Sequence, residues 1–260
     1  MVCYPYKVGN NSVNLQSNRH IEMLQIKIFP VNPITTNCVV LWEDGAVSPA
    51  GIPCAIVDPG LFDAREEEML ASFLKENGLT PDAILLTHGH FDHSWGVASL
   101  VRRYGCPVYM DPADKPILHM KSTLLDRLIP GAQVELFDFL PLSDGMMLHA
   151  GGAAWRVIST PGHTPGGVCL YCADSSVLLS GDTLFAGSIG RTDLMGGDYD
   201  ALIKSIMDKL MGLPGDTDVI PGHGHPTTIA REAATNPFLI PFNEPDSDWW
   251  NQDGIELDGV

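Results

Sequence analysis

The stretch AILLTHGHFDHSWG, residues 83–96, decides how this chain is read. AILLT is an apolar run of the kind a buried strand makes, and a helical pattern runs from about Asp92 to Tyr104. His88 and His90 therefore fall on the connecting loop, with Asp92 and His93 at the helix entrance. On such a turn the first pair of side chains can converge on one point and the second pair on another. Ordinary loop histidines with an aspartate N-cap would explain Asp92, but they leave three of the chain's nine histidines within six positions unexplained. The cluster reads as metal-binding, with two adjacent sites.

One loop supplies too few ligands for two ions, so further donors are expected just past other strands. His163 in TPGHTPG follows the strand WRVIS, Asp182 in SGDTLF follows SVLLS, and His223 in PGHGHP follows DVI. Each stands beyond the carboxyl end of a strand, where α/β sheets gather site residues, with glycine nearby to admit close backbone approach. A carboxylate can bridge two cations, and Asp182 is the better bridge because Asp92 already belongs beside His93. The expected arrangement gives His88, His90 and His163 to one ion and Asp92, His93 and His223 to the other. Open coordination for water on each ion marks a catalytic rather than a structural site. Two divalent ions are expected, and imidazole and carboxylate donors suit zinc, iron or manganese without choosing among them. His20, His119 and His149 have no ligand-like neighbours, and His225 reads as an outer or solvent-facing residue.

Around this loop the pattern is α/β. Strands are expected at 25–29, 37–42, 54–58, 83–87, 107–110, 155–159, 168–172, 176–180 and 218–220, with helices near 63–77, 95–104, 115–128 and 199–213. The chain of 260 residues is 45% hydrophobic, enough for a substantial core. Residues 1–22 read as an N-terminal extension, 23–241 as the folded domain, and 242–260 as an acidic tail. With 32 acidic against 15 basic residues, the net charge of −17 disfavours nucleic acid and anionic membrane as partners. The chain has neither the ~20-residue apolar run needed to cross a bilayer nor an N-terminal signal core, so a cytoplasmic location is expected. The six cysteines read as buried thiols. Cys169 and Cys172, three apart in a strand, should point to opposite faces rather than share a metal.

The joint pattern of H-x-H-x-D-H at 88–93, TPGHTPG, SGDTLF and PGHG resembles the metallo-β-lactamase superfamily. That resemblance covers about Met23 to Pro241 and implies a four-layer αββα sandwich, two mixed β-sheets with helices outside. An aspartate at the bridging position, with GRTD at 190–193, is similar to the glyoxalase II group of hydroxyacylglutathione hydrolases and their short bacterial relatives. It implies hydrolysis of a small-molecule thioester by a hydroxide bridging two metals, with Asp92 and Asp182 serving catalysis. β-Lactamases usually lack that aspartate, so antibiotic hydrolysis is disfavoured. Full-length glyoxalase II adds a helical domain that supplies much of the glutathione site, whereas only 37 residues follow His223 here. Glutathione is therefore not carried over as the substrate thiol.

The resemblance also gives Asp58, in VDPG, the role of accepting the second ring proton of a metal-binding histidine. Arg191 reads first as the ion-pair partner of Asp193, with a substrate-carboxylate contact as its alternative. Two other functions compete: a persulfide dioxygenase with one iron, and a metal-binding protein without turnover.

Overall fold

The computed structural model describes residues 23–45, 48–118, 126–127 and 134–243. The expected extension, nearly all of the acidic tail, His119 and residues 119–125 and 128 of the helix expected at 115–128 lie outside these residues.

Two six-stranded mixed sheets pack face to face. The first has the order β1 (Leu24–Val31), β2 (Thr36–Glu43), β3 (Ile52–Val57), β4 (Leu79–Leu85), β5 (Val108–Met110), β6 (Leu140–Pro141). Its first three strands are antiparallel neighbours, and β3 to β6 run parallel. The second sheet is built from β7 (Met147–Ala150), β8 (Ala153–Ser159), β9 (Val168–Cys172), β10 (Val177–Gly181), β13 (Asp218–Pro221) and β14 (Thr227–Thr228). Its order is β14-β13-β10-β9-β8-β7, with β10 and β13 parallel. A small hairpin of β11 (Leu184–Phe185) and β12 (Ser188–Ile189) follows β10.

The strands are apolar on both faces because both faces are covered. On β2, β3 and β4, Val39, Leu41, Ala55, Val57, Ala83 and Leu85 enter the core between the sheets. Their neighbours Cys38, Val40, Cys54, Ile56 and Ile84 face the outer helices α1 (Ala64–Glu76) and α3 (Val97–Tyr104). The second sheet does the same. Trp155, Val157, Leu170 and Leu179 point inward, while Ile158, Cys169 and Leu178 pack on Leu202, Ile206 and Leu210 outside. Cys169 and Cys172 fall in different cores, as their spacing requires. The αββα arrangement is present as expected.

Two helices differ from expectation. The one expected from Asp92 is split into a single turn, α2 (Phe91–Ser94), and α3, because the Gly96 N–H leaves the helix to donate to the Pro59 carbonyl. The helix expected at 199–213 is α-helical only over Tyr199–Ser205 and then widens to a π-turn at Ile206–Leu210. Among the described residues no helix is long and apolar enough to cross a membrane.

Candidate metal centre and active site

The strand ends of both sheets meet at one rim. Beyond β4 the chain places His88 and His90 on a loop and Asp92 and His93 on α2. From the second sheet come His163 after β8, Asp182 after β10 and His223 after β13. His88, His90 and His163 form one group whose ligand atoms lie within 4.8 Å of one another, and Asp92, His93 and His223 form another. Asp182 stands between them: one oxygen is 3.5 Å from His93 Nε2, and the other lies 3.5 Å from His163 Nε2 and 3.6 Å from His223 Nε2. His225 and His149 are exposed and take no part.

The hydrogen bonds fix which nitrogen each imidazole offers. The Thr87 hydroxyl donates to Asp58 Oδ2 at 2.6 Å, so its oxygen is left to accept Nδ1–H of His88 at 3.1 Å. His88 Nε2 is then a lone pair. Asp58 Oδ2 also accepts Nδ1–H of His93 at 3.0 Å, freeing that Nε2 in turn. His163 donates Nδ1–H to the carbonyl of Arg191 at 2.7 Å and turns Nε2 toward His90 Nδ1, 3.0 Å away. These tautomers follow from the partners each ring has.

The residues fit a pair of cations. His88 Nε2 and Asp182 Oδ1 are buried without any hydrogen-bond partner, a costly state for polar atoms that a bound cation relieves. Glycine at 222 leaves the room this needs, since a Cβ there would lie 2.2 Å from Asp182 Oδ1 and 2.7 Å from His93 Cε1.

The charge balance points the same way. Burial and the neighbouring His163 push His90 down to about 3, and burial with the surrounding imidazoles takes His88 well below its ordinary value. Burial alone would also keep His93 neutral, yet the carboxylates of Asp92, Asp182 and Asp58 pull it up to about 10. Asp92, despite burial, is held well below the usual carboxylate range by His93 and His223.

Further residues support the ligand groups, and Thr36 among them carries no signal in the sequence. Thr36 donates to Asp92 Oδ2 at 3.0 Å. Asn37 holds the last histidine loop through the carbonyls of Pro221 and Gly224 at 2.9 and 3.0 Å. Asp58 itself sits at φ 50°, a left-handed conformation that aspartate tolerates better than most residues. Arg191 and Asp193 form an exposed two-point ion pair at 2.7 and 2.8 Å, so what Arg191 turns toward the centre is its backbone carbonyl.

Residues 31–223 match the family model described as the Metallo-beta-lactamase superfamily. The chain belongs to this superfamily. Within it, the chain is 35% identical over 218 residues to the hydroxyacylglutathione hydrolase GloC of Haemophilus influenzae, covering 83% of this chain and 98% of that one. Among solved structures it is similar to the B3 metallo-β-lactamase BLEG-1, with 40% identity, a TM-score of 0.72 and coverage of 83% and 99%. The di-iron-bound form of TTHA1623 is also similar, at 39% identity and a TM-score of 0.69, over 82% of this chain and all of that one. Hydrolases are thus among the relatives of this superfamily member, which carries a histidine and aspartate cluster at the place where its strands end.

Proposed function

We propose that the chain hydrolyses a small-molecule thioester of the hydroxyacylglutathione type, using two divalent metal ions, zinc foremost. The observation that carries this reading is the pair of three-ligand groups flanking Asp182, with His88 Nε2 and Asp182 Oδ1 buried and unpaired between them. When bound, two such cations lower the pKa of a shared water toward neutrality and polarise the scissile carbonyl. His88, His90 and His163 would hold one ion and Asp92, His93 and His223 the other, with Asp182 between the two groups. Asp58 keeps His93 and, through Thr87, His88 in the tautomers that present Nε2. Asp92, anchored by Thr36, is also placed to take the proton of the attacking water. A thiolate leaves without being protonated, so these residues suffice for a thioester.

The kinship with GloC supports glutathione as the thiol, because nearly the whole of that shorter hydrolase aligns with this chain. The five described cysteines are unpaired, which supports a reducing, cytoplasmic setting. A complete second ligand group disfavours a dioxygenase with a single iron.

A second reading, cleavage of a β-lactam amide, is favoured by the likeness to BLEG-1. The two differ in the leaving group, since an amide nitrogen must be protonated as it departs. The test is elemental analysis of the purified protein with parallel assays on S-lactoylglutathione and a chromogenic cephalosporin. Two ions and thioester turnover are expected, with both His88→Ala and Asp182→Asn inactive. Near wild-type hydrolysis by either variant would refute the site, and turnover of the cephalosporin alone would replace the substrate.

A further inference from the structure

We infer that Asp114 is a positioning residue that sets the three-histidine site by clamping its two loops together. The residue lies past the end of β5, in a short 3-10 turn at Pro112–Asp114, on the same rim as the ligands. It is fully buried. One carboxylate oxygen accepts the Gly89 N–H at 2.7 Å and the Thr164 hydroxyl at 2.8 Å, and the other accepts the Gly166 N–H at 2.6 Å. Gly89 stands between His88 and His90; Thr164 follows His163. A single side chain therefore holds the loop of the first sheet that carries two ligands and the loop of the second sheet that carries the third.

The chemistry requires a carboxylate. All three partners are donors arriving from two separate loops, and only an acceptor-only group can satisfy them at once. Asparagine of the same shape would turn an NH2 against the N–H of either Gly89 or Gly166 and lose that bond. The contact is also close: a Cβ on Gly166 would lie 2.8 Å from Asp114 Oδ1, and one on Gly89 would lie 2.9 Å from the Asp114 carbonyl. Asp92, His93 and His223 are held by other means, through Thr36, Asn37 and Asp58. Asp114 thus acts on one ion and not on the other.

The inference rests on the two-cation reading above and is tested without any substrate. Zinc-loaded full-length wild type and Asp114→Asn are titrated with a chromophoric chelator, and histidine side-chain 15N resonances are followed in parallel. The variant should lose one of its two zinc ions about 10- to 100-fold more readily, the cost typical of an outer partner of a metal ligand. The resonances of His88, His90 and His163 should change at that step, with those of His93 and His223 staying at the wild-type midpoint. Equal weakening of both ions, or no weakening, overturns the clamp. Should Asp114→Asn show no cooperative melting, Thr164→Val decides: it keeps both backbone bonds and should weaken the same ion to a smaller extent, and an unselective effect overturns the inference. A wild type that binds one zinc sinks the two-cation reading itself, whereas a wild type with two ions and an unselective variant sinks the clamp alone.

Discussion

At the scale of single residues, Asp58 has the widest reach of the groups that touch no substrate. One of its oxygens takes both the Thr87 hydroxyl and the His93 ring proton, and the other accepts the Thr87 N–H at 2.8 Å. It therefore governs one histidine of each proposed ion. Asp58→Ala should weaken both ions together, by about 10- to 100-fold each, in contrast to a selective loss at Asp114. Metal content after dialysis against graded chelator checks this, and two ions retained at wild-type affinity would sink the role. The candidate ligands are legible in the sequence because histidines crowded into six positions seldom serve any purpose but metal binding, and because glycine-flanked His163, Asp182 and His223 stand past apolar runs. Thr36, Thr87 and Asp114 are not. A lone hydroxyl or carboxylate beside a strand looks the same whether it meets water or a ligand loop, and the bonds Thr36–Asp92, Thr87–Asp58 and Asp114–Gly89 span 56, 29 and 25 residues.

At the scale of elements, the long strands are legible because burial on both faces makes them continuous apolar runs. The short ones are hidden. β6, β11, β12 and β14 have two residues each, too few for any period, and Met147–Ala150 alternates exposed and buried over only four. Elements of this kind are held by links from outside themselves. Asp144, in the turn before β7, accepts the Ser159 N–H at the end of β8 at 2.7 Å and pairs with Lys209 of the π-turn at 3.1 Å. Slight burial works against its charge, but Ser159 and Lys209 hold its carboxyl below the ordinary value of 3.8. A depressed folded pKa means stability that is present above 3.8 and lost as pH falls through the folded value. Asp144→Asn should therefore melt below wild type at neutral pH, with the gap closing only below about pH 4. Melting curves of both proteins from neutral to acid pH measure it, and a gap that is absent at neutral pH or widens in acid would contradict the sign.

At the scale of the molecule, the two sheets repeat one plan. In each, antiparallel strands lead to an aspartate, Asp58 after β3 and Asp182 after β10. A helix then crosses to a parallel strand whose end carries a histidine, His88 after β4 and His223 after β13. The proposed ions are thus held from both sides: His88, His90, Asp92 and His93 come from the first sheet, and His163, Asp182 and His223 from the second. Cations there would join the halves of the sandwich at the rim, where the core between the sheets gives way to polar groups. A ligand that binds the folded chain and not the unfolded one stabilises it by an amount that grows with its free concentration, about 2.7 kcal/mol per ion at a hundred times Kd. Each tenfold rise in free zinc should add about 1.4 kcal/mol per bound ion, and two ions should double that slope. Melting temperature followed against buffered free zinc measures the slope directly. His88→Ala should halve it if the two groups load independently, and a melting temperature indifferent to zinc would mean that the cluster binds no metal in the folded state, however well its geometry suits one.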